Sequence, residues 1–94
     1  MSEDVVSRLV TLTVPHGLHL TPISQLVLCA SSFAASITIS FDGRKADVKS
    51  VYDLMLLAAP CGSELTLEAS GTDAEAALES LNRLFDGGFL VAPH

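Results

Sequence analysis

Apolar and polar residues alternate in three stretches of the chain and recur at helical spacing in three others. In Leu9-Val-Thr-Leu-Thr-Val14, residues Val10, Leu12 and Val14 fall on one face and Thr11 and Thr13 on the other, the pattern of a half-buried strand. Ser36-Ile-Thr-Ile-Ser-Phe41 repeats it with Ile37, Ile39 and Phe41 inward. Asp42-Gly43 then gives a strong two-residue hairpin signal, and Arg44 to Val48 reads as a short polar return strand suited to a sheet edge. Glu64-Leu-Thr-Leu-Glu-Ala69 supplies a fourth strand, with Leu65, Leu67 and Ala69 inward.

The helical stretches lie between these strands. Ile23, Leu26, Val27, Ala30 and Phe33 form one stripe over Ile23–Phe33, from which Leu28 points away. Pro22, with fixed φ and no N–H, suits the first turn of that helix. Ser50 can cap a shorter helix over Val51–Ala58 that Pro60-Cys61-Gly62 ends. Thr72-Asp-Ala-Glu75 reads as a capping box. It opens a third helix whose stripe is Ala74, Ala77, Leu78, Leu81, Leu84 and Phe85, and Gly87-Gly88 is a natural stop. Residues 1–6 read as a loose acidic lead-in and residues 89–94 as a loose apolar tail. The order is βαββαβα within one domain spanning residues 1–94. Strands that alternate need one covered face, and three amphipathic helices can cover it. The expectation is an α+β open-faced sandwich, a four-stranded antiparallel sheet with three helices on one face.

Composition narrows the function. The chain has 94 residues, 49% of them hydrophobic, which is enough for one small core and argues against disorder. No apolar run is long enough to span a bilayer, and the N-terminus lacks the basic stretch of a signal peptide, so a cytosolic location is expected. The net charge of −6 argues against nucleic acid or an anionic membrane as partner, since both need a positive footprint. Cys29 and Cys61 make neither a CxxC pair nor a disulfide framework and read as buried or half-buried thiols.

The chemistry concentrates where the first strand hands over to the first helix, in Pro15-His-Gly-Leu-His-Leu-Thr-Pro22. His19 falls at or just before a helix N-terminus, where unpaired N–H groups and the helix dipole favour an anion and disfavour an imidazolium. That field would favour a nucleophilic ring nitrogen over an imidazolium. Gly17-Leu18-His19-x-x-Pro22 at a strand-to-helix junction resembles the motif of the HPr phosphocarrier family of the bacterial sugar phosphotransferase system, over roughly residues 7–88. The resemblance implies a sheet ordered 1-4-2-3 and His19 as phosphoryl acceptor. Enzyme I, charged from phosphoenolpyruvate, would be the donor, and an enzyme II A component or a regulatory target the recipient. Gly17, Leu20, Thr21 and Pro22 would shape and support the phosphate site. It implies no cofactor, and a carrier rather than a stand-alone enzyme. Ser50 would match a regulatory serine that a dedicated kinase modifies in some bacteria, although a plain N-cap is the favoured reading of it, and Asp53 would repel a phosphate there.

Two departures from the family pattern stand out. The family reads Gly-aliphatic-His-x-Arg-Pro, and Thr21 stands where the arginine would be. A charge-assisted contact is worth about 1.5–3 kcal/mol and a neutral hydroxyl bond about 1 kcal/mol. Leu28, Ser31 and Asp53 also fall where many members carry basic residues. Leu20, Leu28, Val51 and Tyr52 would instead form an apolar partner face beside His19. An alternative function follows: a non-phosphorylated binding or regulatory module of the same fold, its carrier site decayed. His16-x-x-His19 has metal-ligand spacing only on a helix, and a proline-glycine loop lacking Cys or carboxylate neighbours argues against metal. Asp73, Glu75 and Glu79 read as a solvated helix face.

Overall fold

The computed structural model describes residues 5–89. Its elements are β1 (Val5–Thr11), α1 (Leu20–Ser31), β2 (Ser36–Phe41), β3 (Arg44–Asp47), α2 (Val51–Leu57), β4 (Glu64–Ser70) and α3 (Ala74–Asp86). The strands form one antiparallel sheet ordered β1-β4-β2-β3. The helices lie over one face, because each strand turns its apolar set that way. Leu65, Leu67 and Ala69 of β4, Ile37 and Ile39 of β2, and Val10 of β1 are buried, and they meet Ile23, Leu26 and Ala30 of α1 and Ala77, Leu78 and Leu81 of α3. Leu54 and Leu57 bring α2 into the same core. No helix among the described residues is long and apolar enough to cross a membrane.

The hairpin forms at Asp42-Gly43. Both residues take positive φ, 53° and 78°, which matches the twist of the flanking strands. Phe41 then pairs with Arg44. The end of α3 is a Schellman motif: Phe89 N–H donates to Leu84 O at 2.9 Å and Gly88 N–H to Phe85 O at 3.1 Å, with Gly88 at φ 68°.

Some expectations need correction. Residues 1–6 are not all a loose lead-in: Val5 and Val6 are the first rungs of β1, paired with Ser70 and Ala69. The β1–β4 ladder ends at Thr11, although the inward burial of Leu12 and Val14 continues past it. Nor is the tail loose from residue 89, since Phe89 is buried and its ring meets Phe85 edge-on at 4.8 Å. Residues 1–4 and 90–94 lie outside the described residues.

Helix α1 begins at Leu20, three residues before the expected Ile23, and Pro22 sits in its first turn, where a missing N–H costs nothing. Thr72 does not form a capping box. Asp73 occupies the N-cap position and its side chain makes no capping bond. Its carboxylate instead accepts from Ala34 N–H at 2.9 Å and Ala35 N–H at 2.8 Å, tying the start of α3 to the α1–β2 connection. The Ala34 N–H does most to hold this carboxyl below its ordinary value. Partial burial opposes that; the Ala35 N–H, Asp73's own N–H and the charge of Lys49 add to it. Asp73 is therefore a structural tie and not part of a solvated face. Finally, Cys61 is exposed and only Cys29 is half-buried; burial raises the Cys29 thiol pKa.

Candidate functional site

The junction between β1 and α1 is shaped by Gly17. Its φ of +71° belongs to the left-handed region, and a Cβ there would lie 2.7 Å from Ala59 O and 3.0 Å from Pro60 Cα. Only glycine lets the loop press so closely on the segment after α2. That segment grips the loop by hydrogen bonds: Leu18 N–H donates to Ala59 O at 2.8 Å, Leu12 N–H to Ser63 O at 2.9 Å and Gly62 N–H to Leu12 O at 2.6 Å. Leu18 is buried as an anchor, so the next residue comes up to the surface.

That residue is His19. It is the N-cap of α1, with extended backbone (φ −113°, ψ −171°) and no side-chain capping bond. Its carbonyl accepts from Ile23 N–H at 3.0 Å and its own N–H donates to Gly17 O at 3.0 Å. His19 is half-buried. Two helix-opening N–H groups follow, on Leu20 and Thr21, before Pro22, which has none to offer. These are the orphan donors of a helix start. No acidic residue stands in the first turn to compete for them. Thr21 is exposed and Pro22 buried. The His16 ring lies beside His19, centroids 5.9 Å apart and planes at 74°. No third His, Cys, Asp or Glu joins a candidate metal cluster among the described residues.

Ser50 caps α2, its Oγ accepting Asp53 N–H at 3.1 Å. Around it, Asp53 accepts from Asp47 N–H at 3.2 Å, Asp47 accepts from Lys49 N–H at 2.9 Å, and Lys49 Nζ donates to Phe33 O at 2.8 Å. Ser50 is therefore built into the turn, with a carboxylate on each side in sequence.

Leu20, Leu28, Val51 and Tyr52 are all exposed, Leu28 at 75% and Tyr52 at 70%, on two helices that pack together. Met55 and Leu56, missed from the sequence, are exposed on α2 as well. The signal was present: α2 is apolar almost all round, yet a seven-residue helix has room to bury only Leu54 and Leu57.

A family model described as the PTS HPr component phosphorylation site matches residues 6–86. The chain is 40% identical over 73 residues to the phosphocarrier protein HPr of Treponema pallidum, covering 78% of this chain and 83% of that protein. It is 38% identical over 77 residues to that of Vibrio cholerae, covering 82% and 91%. The crystal structure of a phosphocarrier protein HPr from Bacillus anthracis superposes with a TM-score of 0.82 at 36% identity, over 86% of this chain and 96% of that one.

Proposed function

The chain belongs to the HPr phosphocarrier family, and from that membership we propose that His19 carries the phosphoryl group. In this reading His19 accepts it from an enzyme I-like donor and passes it to an enzyme II A-like protein or a regulatory target, in the cytosol. The observation that supports it best is the placement of an imidazole at the helix mouth, immediately before the Leu20 and Thr21 N–H groups, none of the three hydrogen-bonded among the described residues. A neutral ring nitrogen attacks phosphorus, the new N–P bond forms, and the donor's bond to phosphorus breaks with its electron pair returning to the donor. No oxidant, reductant or cofactor is needed. The dianion then meets the Leu20 and Thr21 N–H groups and the positive end of α1. Pro22 adds no donor but fixes the first turn, and Gly17 fixes the height of His19. Two backbone donors make a site of moderate strength, which a carrier needs, since a group held too tightly is slow to leave.

The exposed apolar residues Leu20, Leu28, Val51 and Tyr52 form the partner face in this reading. Ser50 serves as an N-cap, and a kinase would have to break the bond to Asp53 N–H to reach it. A second reading, a binding module that is never phosphorylated, is favoured by one observation: Thr21 brings no positive charge to the site. Incubation with phosphoenolpyruvate and enzyme I separates them. The carrier reading requires an acid-labile, alkali-stable adduct that His19→Ala abolishes. Partner binding that survives His19→Ala, with no adduct on the folded wild type, favours the module.

A further inference from the structure

The end of the fold that presents His19 carries almost no charge. Residues 12–31, which include the loop and all of α1, contain no Lys, Arg, Asp or Glu, and neither do residues 58–63, which grip the loop. The cations lie on other elements: Arg8 on β1, Arg44 and Lys45 on β3, Lys49 bonded to Phe33 O, and Arg83 in the last turn of α3. The one other group in the loop able to become cationic is His16. It is exposed, and neither its ring nor that of His19 makes a hydrogen bond among the described residues. The positive φ of Gly17 turns the chain so that the two rings meet edge to face at 5.9 Å. A phosphoryl group on a His19 nitrogen and one hydrogen bond from an imidazolium N–H would span a gap of this size.

Resting on the carrier reading of His19, we propose that His16 supplies the positive charge that Thr21 lacks, its protonated ring donating to an oxygen of the phosphoryl group on His19. The charge is then conditional. Histidine gains and loses its proton in the physiological range, whereas a guanidinium is permanently charged, so the carrier holds its cargo better when His16 is protonated. The titratable groups on the surrounding elements are few. They are Cys29 on α1, Cys61 on the gripping segment, Tyr52 and Asp53 on α2, Glu64 where β4 pairs with Thr11, and Asp86 at the end of α3, two residues before the Gly88 that approaches Thr13. Asp53 already accepts the Asp47 N–H. None of the others lies in the loop itself, so a pH response that follows residue 16 is assigned by substitution.

The test compares wild type with His16→Gln, which cannot be charged, and His16→Arg, which is always charged. Each is phosphorylated by phosphoenolpyruvate and enzyme I over about pH 6 to 8.5, a range that brackets ordinary histidine titration. The readouts are the equilibrium fraction phosphorylated on His19 and the lifetime of the adduct. Relative to His16→Gln, wild type should favour the phosphorylated form by about tenfold at the acid end, the size of one charge-assisted contact. It should lose that advantage at the alkaline end, while His16→Arg keeps it throughout. Adducts on His19 with the same pH profile in all three proteins overturn the role of His16 and leave the carrier reading standing. The absence of any adduct on His19 in wild type at every pH overturns both.

Discussion

At the residue scale the candidate site consists of the His19 ring and what surrounds it. Pro22 in a first helical turn and His19 at the helix boundary were legible from local chemistry, whereas Gly17 entered only through the family motif and its positive φ belongs to the structure. What was not legible was how close His16 comes to His19. Sequence spacing of three suggests a shared face only on a helix, and here a left-handed glycine, not a helical turn, brings the rings to 5.9 Å. In the carrier reading, Thr21 is the residue whose identity would matter most to rate. Thr21→Arg should raise the rate or equilibrium of His19 phosphorylation by about tenfold, equivalent to ~1–2 kcal/mol, measured as adduct formed against time with enzyme I. A pure binding module would be indifferent to the change.

At the element scale, side chains at the starts of α2 and α3 make ties of two kinds, one local and one long-range. Ser50 does what its sequence position predicts, capping α2 through Asp53 N–H. Ser50→Ala should cost about 0.5–2 kcal/mol, read from the denaturant midpoint, and should leave the His19 adduct intact. Asp73 does not. The capping-box pattern points to Thr72 because it is local, whereas Ala34 and Ala35 lie 39 and 38 residues from Asp73 in the chain, and no short-range rule reports them. Because its partners hold the Asp73 carboxyl below its ordinary value of 3.8, it contributes stability that is fully present above that value and lost as pH falls through the lowered one. A stability difference between wild type and Asp73→Asn should therefore be constant near neutrality and close in acid, as followed by chemical denaturation at a series of pH values. A gap that persists unchanged into strong acid would contradict the tie.

At the scale of the whole molecule, alternation and helical periodicity were sufficient for the element order and for helices on one face, since every buried strand residue they marked faces the same core. The ends were less legible. Val5-Val6-Ser7-Arg8 has no clean alternation, and its strand identity comes from pairing with β4, a long-range contact. The charge distribution sets how partners meet the carrier. A net charge of −6, with no fixed charge on α1 and apolar side chains exposed on α1 and α2, leaves little to steer an acidic partner. Association with an enzyme I-like protein should accordingly change by no more than about threefold between low and high salt, measured by stopped-flow mixing. A steep loss with salt would mean that charges elsewhere govern docking.

The central claim is that a ring nitrogen of His19, and no other group, receives the phosphoryl group. Peptide mapping by tandem mass spectrometry, kept alkaline so that an N–P bond survives, tests it most directly after incubation with phosphoenolpyruvate and enzyme I. The account predicts a single phosphate on the peptide containing His19, localised to that residue and absent from His19→Ala. A phosphate found on His16 or Ser50 instead, or none on the folded protein, would contradict it.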